Sequence, residues 1–137
     1  MIMNAAIIEK MTAPQLIKLA IIDLAIEWGQ LGAGNTSDIS TETIDDLYDE
    51  YKGDSLLDDC DNETRTSGNE TGLPCDMSRH YDSESVAINV RGVWVGFTEW
   101  SGGGKHGEPE AIDWIDSAYF VEAKPIIVTR HEFSLIK

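Results

Sequence analysis

The chain has 137 residues, 42% of them apolar, and a formal net charge of −15, so it is read as one domain, 1–137, with a real hydrophobic core. No apolar run reaches membrane-spanning length, because Lys18, Asp23 and Glu27 interrupt the stretch from Leu16 to Leu31. Direct nucleic-acid binding is also not expected: it needs clustered cations, and ten Lys and Arg stand against twenty-five acids.

The charge is unevenly spread. Residues 1–37 sum to −1 and residues 77–137 to −3, whereas residues 38–76 carry thirteen acids against Lys52 and Arg65, a net −11. An acidic surface of that density keeps a protein soluble or seeks a basic partner. No basic segment followed by an apolar one opens the chain, so no secretory signal is read and the expected location is the cytoplasm. There, Cys60 and Cys75 are expected to stay reduced.

In chain order, Thr12 is placed to cap a helix, with Gln15 at the capping-box position and Pro14 in the first turn. The run APQLIKLAIIDLAIEWGQLG then predicts one long apolar helix. Leu16, Leu19, Ile22, Ala25 and Ile26 form a stripe that Ile17, Ile21, Leu24 and Trp28 widen. A stripe so wide implies either a central helix covered on two sides or a helix in a homodimer interface. Gly29, Gly32 and Gly34 end it.

A second, shorter helix is predicted from a cap at Ser40 or Thr41 to a stop at Gly53, with Ile44, Leu47, Tyr48 and Tyr51 at helical spacing. Its other face carries Glu42, Asp45, Asp46, Asp49 and Glu50. Acids suit the first turn of a helix, but Asp49 and Glu50 lie near the negative end of the dipole. Residues 54–78 show neither helical nor strand period and are rich in turn formers, which predicts a long acidic loop.

The character then changes. SVAINVRGVWVGFTEW reads as two strands around a hairpin turn at Arg91-Gly92. A short helix is predicted within Glu110–Asp116, after Pro109. AYFVEA and PIIVTRHEFSLI read as two further strands broken at Lys124-Pro125. The fold class is α+β. A helical part, 1–53, packs on a C-terminal antiparallel sheet, 79–137, with the acidic loop, 54–78, between them.

Three motifs invite chemical readings. The run Gly102-Gly103-Gly104-Lys105-His106-Gly107 looks like a phosphate cradle, but Glu99 stands where the first P-loop glycine belongs and His106 where the hydroxyl belongs. Glu108 and Glu110 would also repel phosphate. The glycines instead predict close packing among Trp94, Trp100 and Trp114, or a ligand surface with Lys105 and His106. Cys60, Cys75, His80 and His106 are metal-ligand types, but their spacing lacks the tight pairs of structural zinc sites, so no metal or cofactor is assigned. Cys75 with His80 or His106 supplies a nucleophile and a base without an orienting third group, so no catalytic residue is assigned.

The stretch from Cys75 onward carries a recognisable pattern: Ser78-Arg79-His80-Tyr81, then WVGFTEW at 94–100, GGGKHGEPEAIDW at 102–114 and AYFVE from Ala118. It resembles a group of small proteins of phage and prophage origin. The resemblance spans somewhat under half the chain, leaves out the first helix and the acidic segment, and implies an origin rather than a reaction.

Charge and resemblance together lead to one expectation: an acidic phage-type inhibitor of a basic, nucleic-acid-handling host defence enzyme, acting in the host cytoplasm by mimicking nucleic acid. Its binding face would be Glu42, Asp45, Asp46, Asp49, Glu50, Asp54, Asp58, Asp59 and Asp61. The competing expectation is a small enzyme or ligand-binding domain centred on Cys75, His80, Trp100, Lys105 and His106.

Overall fold

The computed structural model describes residues 5–32 and 39–136, with the backbone alone for residues 5–7. Four helices precede a four-stranded antiparallel sheet, so the fold is α+β. The helices are α1 (Ala5–Lys10), α2 (Ala13–Glu27), α3 (Ile44–Gly53) and α4 (Asp58–Thr66). The strands are β1 (Asn69–Glu70), β2 (Tyr81–Val90), β3 (Val93–Gly102) and β4 (Tyr119–Phe120), in spatial order β1-β2-β3-β4.

Helix α2 starts where its capping chemistry dictates. Thr12 Oγ1 accepts from the Gln15 amide at 3.2 Å, and Gln15 Oε1 accepts from the Thr12 amide at 3.0 Å. This reciprocal pair satisfies two amides that a helix start otherwise leaves without partners. The helix ends in a Schellman motif. Gly29 takes φ +78°, its amide donates to Ile26 O at 3.1 Å, and the Gln30 amide donates to Ala25 O at 2.8 Å. Gly34 lies outside the described residues.

The wide apolar stripe is covered within the chain. Leu16, Ile17, Leu19, Ile21, Ile22 and Ala25 are fully buried. Helices α3 and α4 pack on α2, and so do strands β2, β3 and β4. Each large side chain buried there contributes about 1.5–3 kcal/mol of apolar transfer. Burial of this face inside one chain accounts for its width without a second copy.

The hairpin forms at the expected turn. Arg91 and Gly92 have φ +51° and +95°, both positive as a tight two-residue hairpin turn requires. The register pairs Val86 with Phe97, Ile88 with Val95 and Val90 with Val93, which puts these six on one face. Phe97 and Val95 are fully buried, and Trp114 lies 4.8 Å from Phe97 between ring centroids. The turn is tied to α2: Arg91 Nη2 and Nε donate to the two carboxylate oxygens of Asp23 at 2.7 and 3.0 Å.

Four expectations are corrected. Helix α3 begins at Ile44 rather than after a Ser40 or Thr41 cap, because the Thr43 hydroxyl accepts from the Ser40 amide at 2.8 Å and closes a turn ahead of it. The segment 54–78 is not a long loop: it contains α4 and β1. The short helix after Pro109 is a single 3-10 turn, Pro109–Ala111. The last two strands shrink to the two residues of β4, and residues 121–136 form no helix, strand, turn or bend. Among the described residues no helix is long and apolar enough to cross a membrane.

Candidate acidic interface

Helices α3 and α4 build the acidic face. Both pack on α2, α3 through buried Ile44 and Tyr48, and α4 through Leu57 and Cys60. Acids in the first turn favour each helix start, Asp45 and Asp46 in α3, Asp58, Asp59 and Asp61 in α4. The buried positions Leu57, Cys60, Asp61, Thr64 and Arg65 repeat at helical spacing, but most are polar. That is why hydrophobic periodicity does not reveal α4.

Of the nine acids expected on this face, eight are exposed: Glu42, Asp45, Asp46, Asp49, Glu50, Asp54, Asp58 and Asp59. Asp61 is not. It is 9% exposed, accepts from the Tyr48 hydroxyl at 2.5 Å and from Lys52 Nζ at 3.0 Å, and so staples α4 to α3. Burial above all, and then the hydrogen bond to the Asp61 carboxylate, push the Tyr48 phenol far above its usual range.

Asp45 is exposed but engaged, with Lys18 Nζ at 2.8 Å and Gln15 Nε2 at 3.2 Å. The hydrogen bond from Lys18 is the main reason its carboxyl lies below the ordinary range. Glu42 is likewise lowered, first because its carboxylate accepts from its own backbone amide and then because it accepts from the hydroxyls of Thr41 and Ser40.

The two cations of the segment are both spent on structure. Lys52 is held between Asp61 at 3.0 Å and Asp58 at 3.9 Å. Arg65 is 8% exposed and turned inward, donating to Trp100 O at 2.9 Å and Asn62 Oδ1 at 2.8 Å. Among the described residues, no ion pair engages Glu42, Asp46, Asp49, Glu50, Asp54 or Asp59. Two acids missed at the sequence level belong here. Glu63 stands exposed on α4, one turn beyond Asp59. Glu110 lines a 380 Å³ cleft with Lys52, Asp58, Asp59, Asp61, Asn62 and Arg65. Only the chain's return past α4 brings Glu110 there, so no local signal marks it.

Comparison with protein-family models, with curated proteins and with solved structures finds no match to this chain. The arrangement of its own residues therefore carries the functional argument.

The competing set is differently placed. Cys75 is half-buried, its Sγ 3.5 Å from Ser83 Oγ, in the segment that crosses β2 through the bonds from Ser85 Oγ to Pro74 O and from Ser83 Oγ to Asp76 O. His80, Lys105 and His106 are exposed, and Trp100 is half-buried with its carbonyl occupied by Arg65. Cys60 is fully buried, and burial, then the charge of Asp59, raises its thiol. Among the described residues, no three His, Cys, Asp or Glu side chains gather where they could hold a metal ion.

The glycine loop is packed by a phenol rather than by indoles. Gly102, Gly103 and Gly104 all have positive φ, and a Cβ on Gly103 would overlap the Tyr81 ring. Tyr81 Oη in turn accepts from the Glu108 amide at 3.2 Å. Positive φ at all three positions, together with the Tyr81 ring against Gly103, accounts for three glycines in a row without a ligand.

Proposed function

We propose that this protein is an acidic inhibitor that occupies the nucleic-acid channel of a basic host enzyme, with α3, α4 and the turn between them as the binding face. The observation carrying this reading is that both cations of the segment are engaged by structural partners, while among the described residues no ion pair engages Glu42, Asp46, Asp49, Glu50, Asp54 or Asp59. Asp46, Asp49 and Glu50 lie on α3, with about 6 Å of helix axis from the first to the last. That linear density is comparable with one DNA strand, which carries one phosphate per about 3.4 Å of helix axis. A helix also holds its charges in fixed order, as a flexible loop would not. Such a face associates quickly with an Arg/Lys-lined channel and loses affinity as salt rises. A host defence nuclease is the proposed target class on the expectation that residues 75–122 resemble phage proteins.

The test is capture from host lysate at low and moderate salt, beside a variant carrying Asp46→Asn, Asp49→Asn, Glu50→Gln and Asp54→Asn. Retention of a nucleic-acid enzyme that is displaced by added DNA, by salt and by the four substitutions is the expected result. Retention of the same enzyme by the neutralised variant would sink the proposal, as would capture of no nucleic-acid enzyme at either salt.

A further inference from the structure

The segment Pro125–Ile136 has the composition of a strand and the surroundings of none. Ile127 is 101% exposed, Leu135 and Ile136 are each 93% exposed, and Phe133 is 89% exposed. Solvated side chains of this size rarely stand together on a stable monomer. Among the described residues, no backbone hydrogen bond involves residues 122–136. The segment runs without turn or bend, and the rings of His131 and Phe133 lie 6.2 Å apart on one side of it. It leaves directly from β4, the edge strand of the sheet. Pro125 at its start is tolerated where a strand begins.

Its sequence is self-complementary when run antiparallel against itself. With His131 opposite His131, Arg130 faces Glu132, Thr129 faces Phe133, Ile127 faces Leu135 and Ile126 faces Ile136. Opposite charges meet directly and, apart from Val128 opposite Ser134, apolar or β-branched residues meet apolar ones, the pairings that stabilise antiparallel strands. Moving the pairing by two residues would put Arg130 opposite Arg130 or Glu132 opposite Glu132. From Lys124 onward the chain also carries three bases and one acid, against a strongly negative remainder. Pro125–Ile136 itself holds one base, Arg130, and one acid, Glu132, so it adds no net charge to the contact between two acidic bodies.

We infer that Pro125–Ile136 is a dimerisation arm that pairs antiparallel with the same segment of a second copy, on a two-fold axis through His131. An isologous two-fold contact needs one self-complementary patch, and this segment supplies it. Two paired strands alone are marginal in water, so the apolar surface at each arm's root has to share in burying them. That surface is the 490 Å³ groove in which Ile126 lies beside Leu73, Trp94 and Val121. The inference stands independently of whether the acidic face binds an enzyme.

Sedimentation equilibrium of the full chain tests it. The wild type is expected to be dimeric. Arg130→Glu sets acid against acid at two symmetry-related positions, and Glu132→Arg sets base against base, so each alone should weaken association about tenfold or more. The double exchange restores both pairs and should return affinity to within about threefold of wild type. Arg130 and Glu132 are exposed, so the fold should survive these changes, and unchanged circular dichroism should confirm it. A wild type that stays monomeric at all concentrations would overturn the inference, and a dimer indifferent to either single exchange would overturn it equally. Association of the arm with a different protein while the chain itself remains monomeric counts against it in the same way.

Discussion

Tyr48 on α3 donates its hydroxyl to Asp61 on α4 at 2.5 Å, and Lys52 Nζ reaches the same carboxylate oxygen at 3.0 Å. The contact joins two helices whose outer faces are crowded with like charge. Removing the acceptor strands a buried hydroxyl, so Asp61→Ala should cost about 1–3 kcal/mol. Tyr48→Phe leaves Asp61 its lysine and should cost about 1 kcal/mol. Urea denaturation of both variants measures the order; a Tyr48→Phe loss exceeding that of Asp61→Ala would contradict the account.

The same contact sets an alkaline limit. The folded state keeps the Tyr48 proton at pH values where the unfolded chain, with a phenol near the ordinary value of about 10, has released it. This group's stabilisation is complete below about pH 10 and drains as pH rises toward the folded value. Thermal denaturation from pH 9 to 11 should show a falling stability that Tyr48→Phe flattens. An identical slope in both proteins would show that another group controls the limb.

The exposed acids should prove dispensable for folding. Asp49 and Glu50 sit toward the negative end of the α3 dipole and have no ion pair among the described residues. Asp49→Asn with Glu50→Gln should raise stability by about 0.3–1 kcal/mol at low salt, less in high salt. Asp46→Asn, in the favourable first turn, should lower it slightly. Melting temperatures at two ionic strengths decide the point; a large loss from the Asp49 and Glu50 changes would make those acids structural.

Gly103 should resist substitution. Its φ is +89°, and a side chain there meets the Tyr81 ring and, at 2.9 Å, the Gly107 Cα. Gly103→Ala carries both a left-handed backbone cost of about 1–2 kcal/mol and a clash. Gly104→Ala, also at positive φ but with open space around the added carbon, should carry only the first. Comparing the two by chemical denaturation separates packing from backbone strain, and equal losses would remove Tyr81 from the explanation.

The α2 capping box and the Arg91-Gly92 hairpin were legible in the sequence, and the helix end was legible only as a choice among Gly29, Gly32 and Gly34, of which the structure uses Gly29, with α2 closing at Glu27. Each is decided by residues within a few positions of one another, and capping and turn chemistry act over that range. The order of helices before sheet, and so the α+β class, followed from the change of period along the chain. Helix α4 was not legible, because its inward positions Asp61, Thr64 and Arg65 are polar, and two of them are satisfied by partners distant in sequence: Tyr48 and Lys52 for Asp61, the Trp100 carbonyl for Arg65. The acidic face was legible as composition and not as geometry. Packing turned Asp61 inward, spent Lys52 and Arg65, and brought Glu110 beside α4. The strand pattern of residues 125–136 was equally plain, but a strand exists only when another strand satisfies its amides and carbonyls. Periodicity can mark a segment as ready for such a partner, whereas the folded chain alone decides whether one lies within reach.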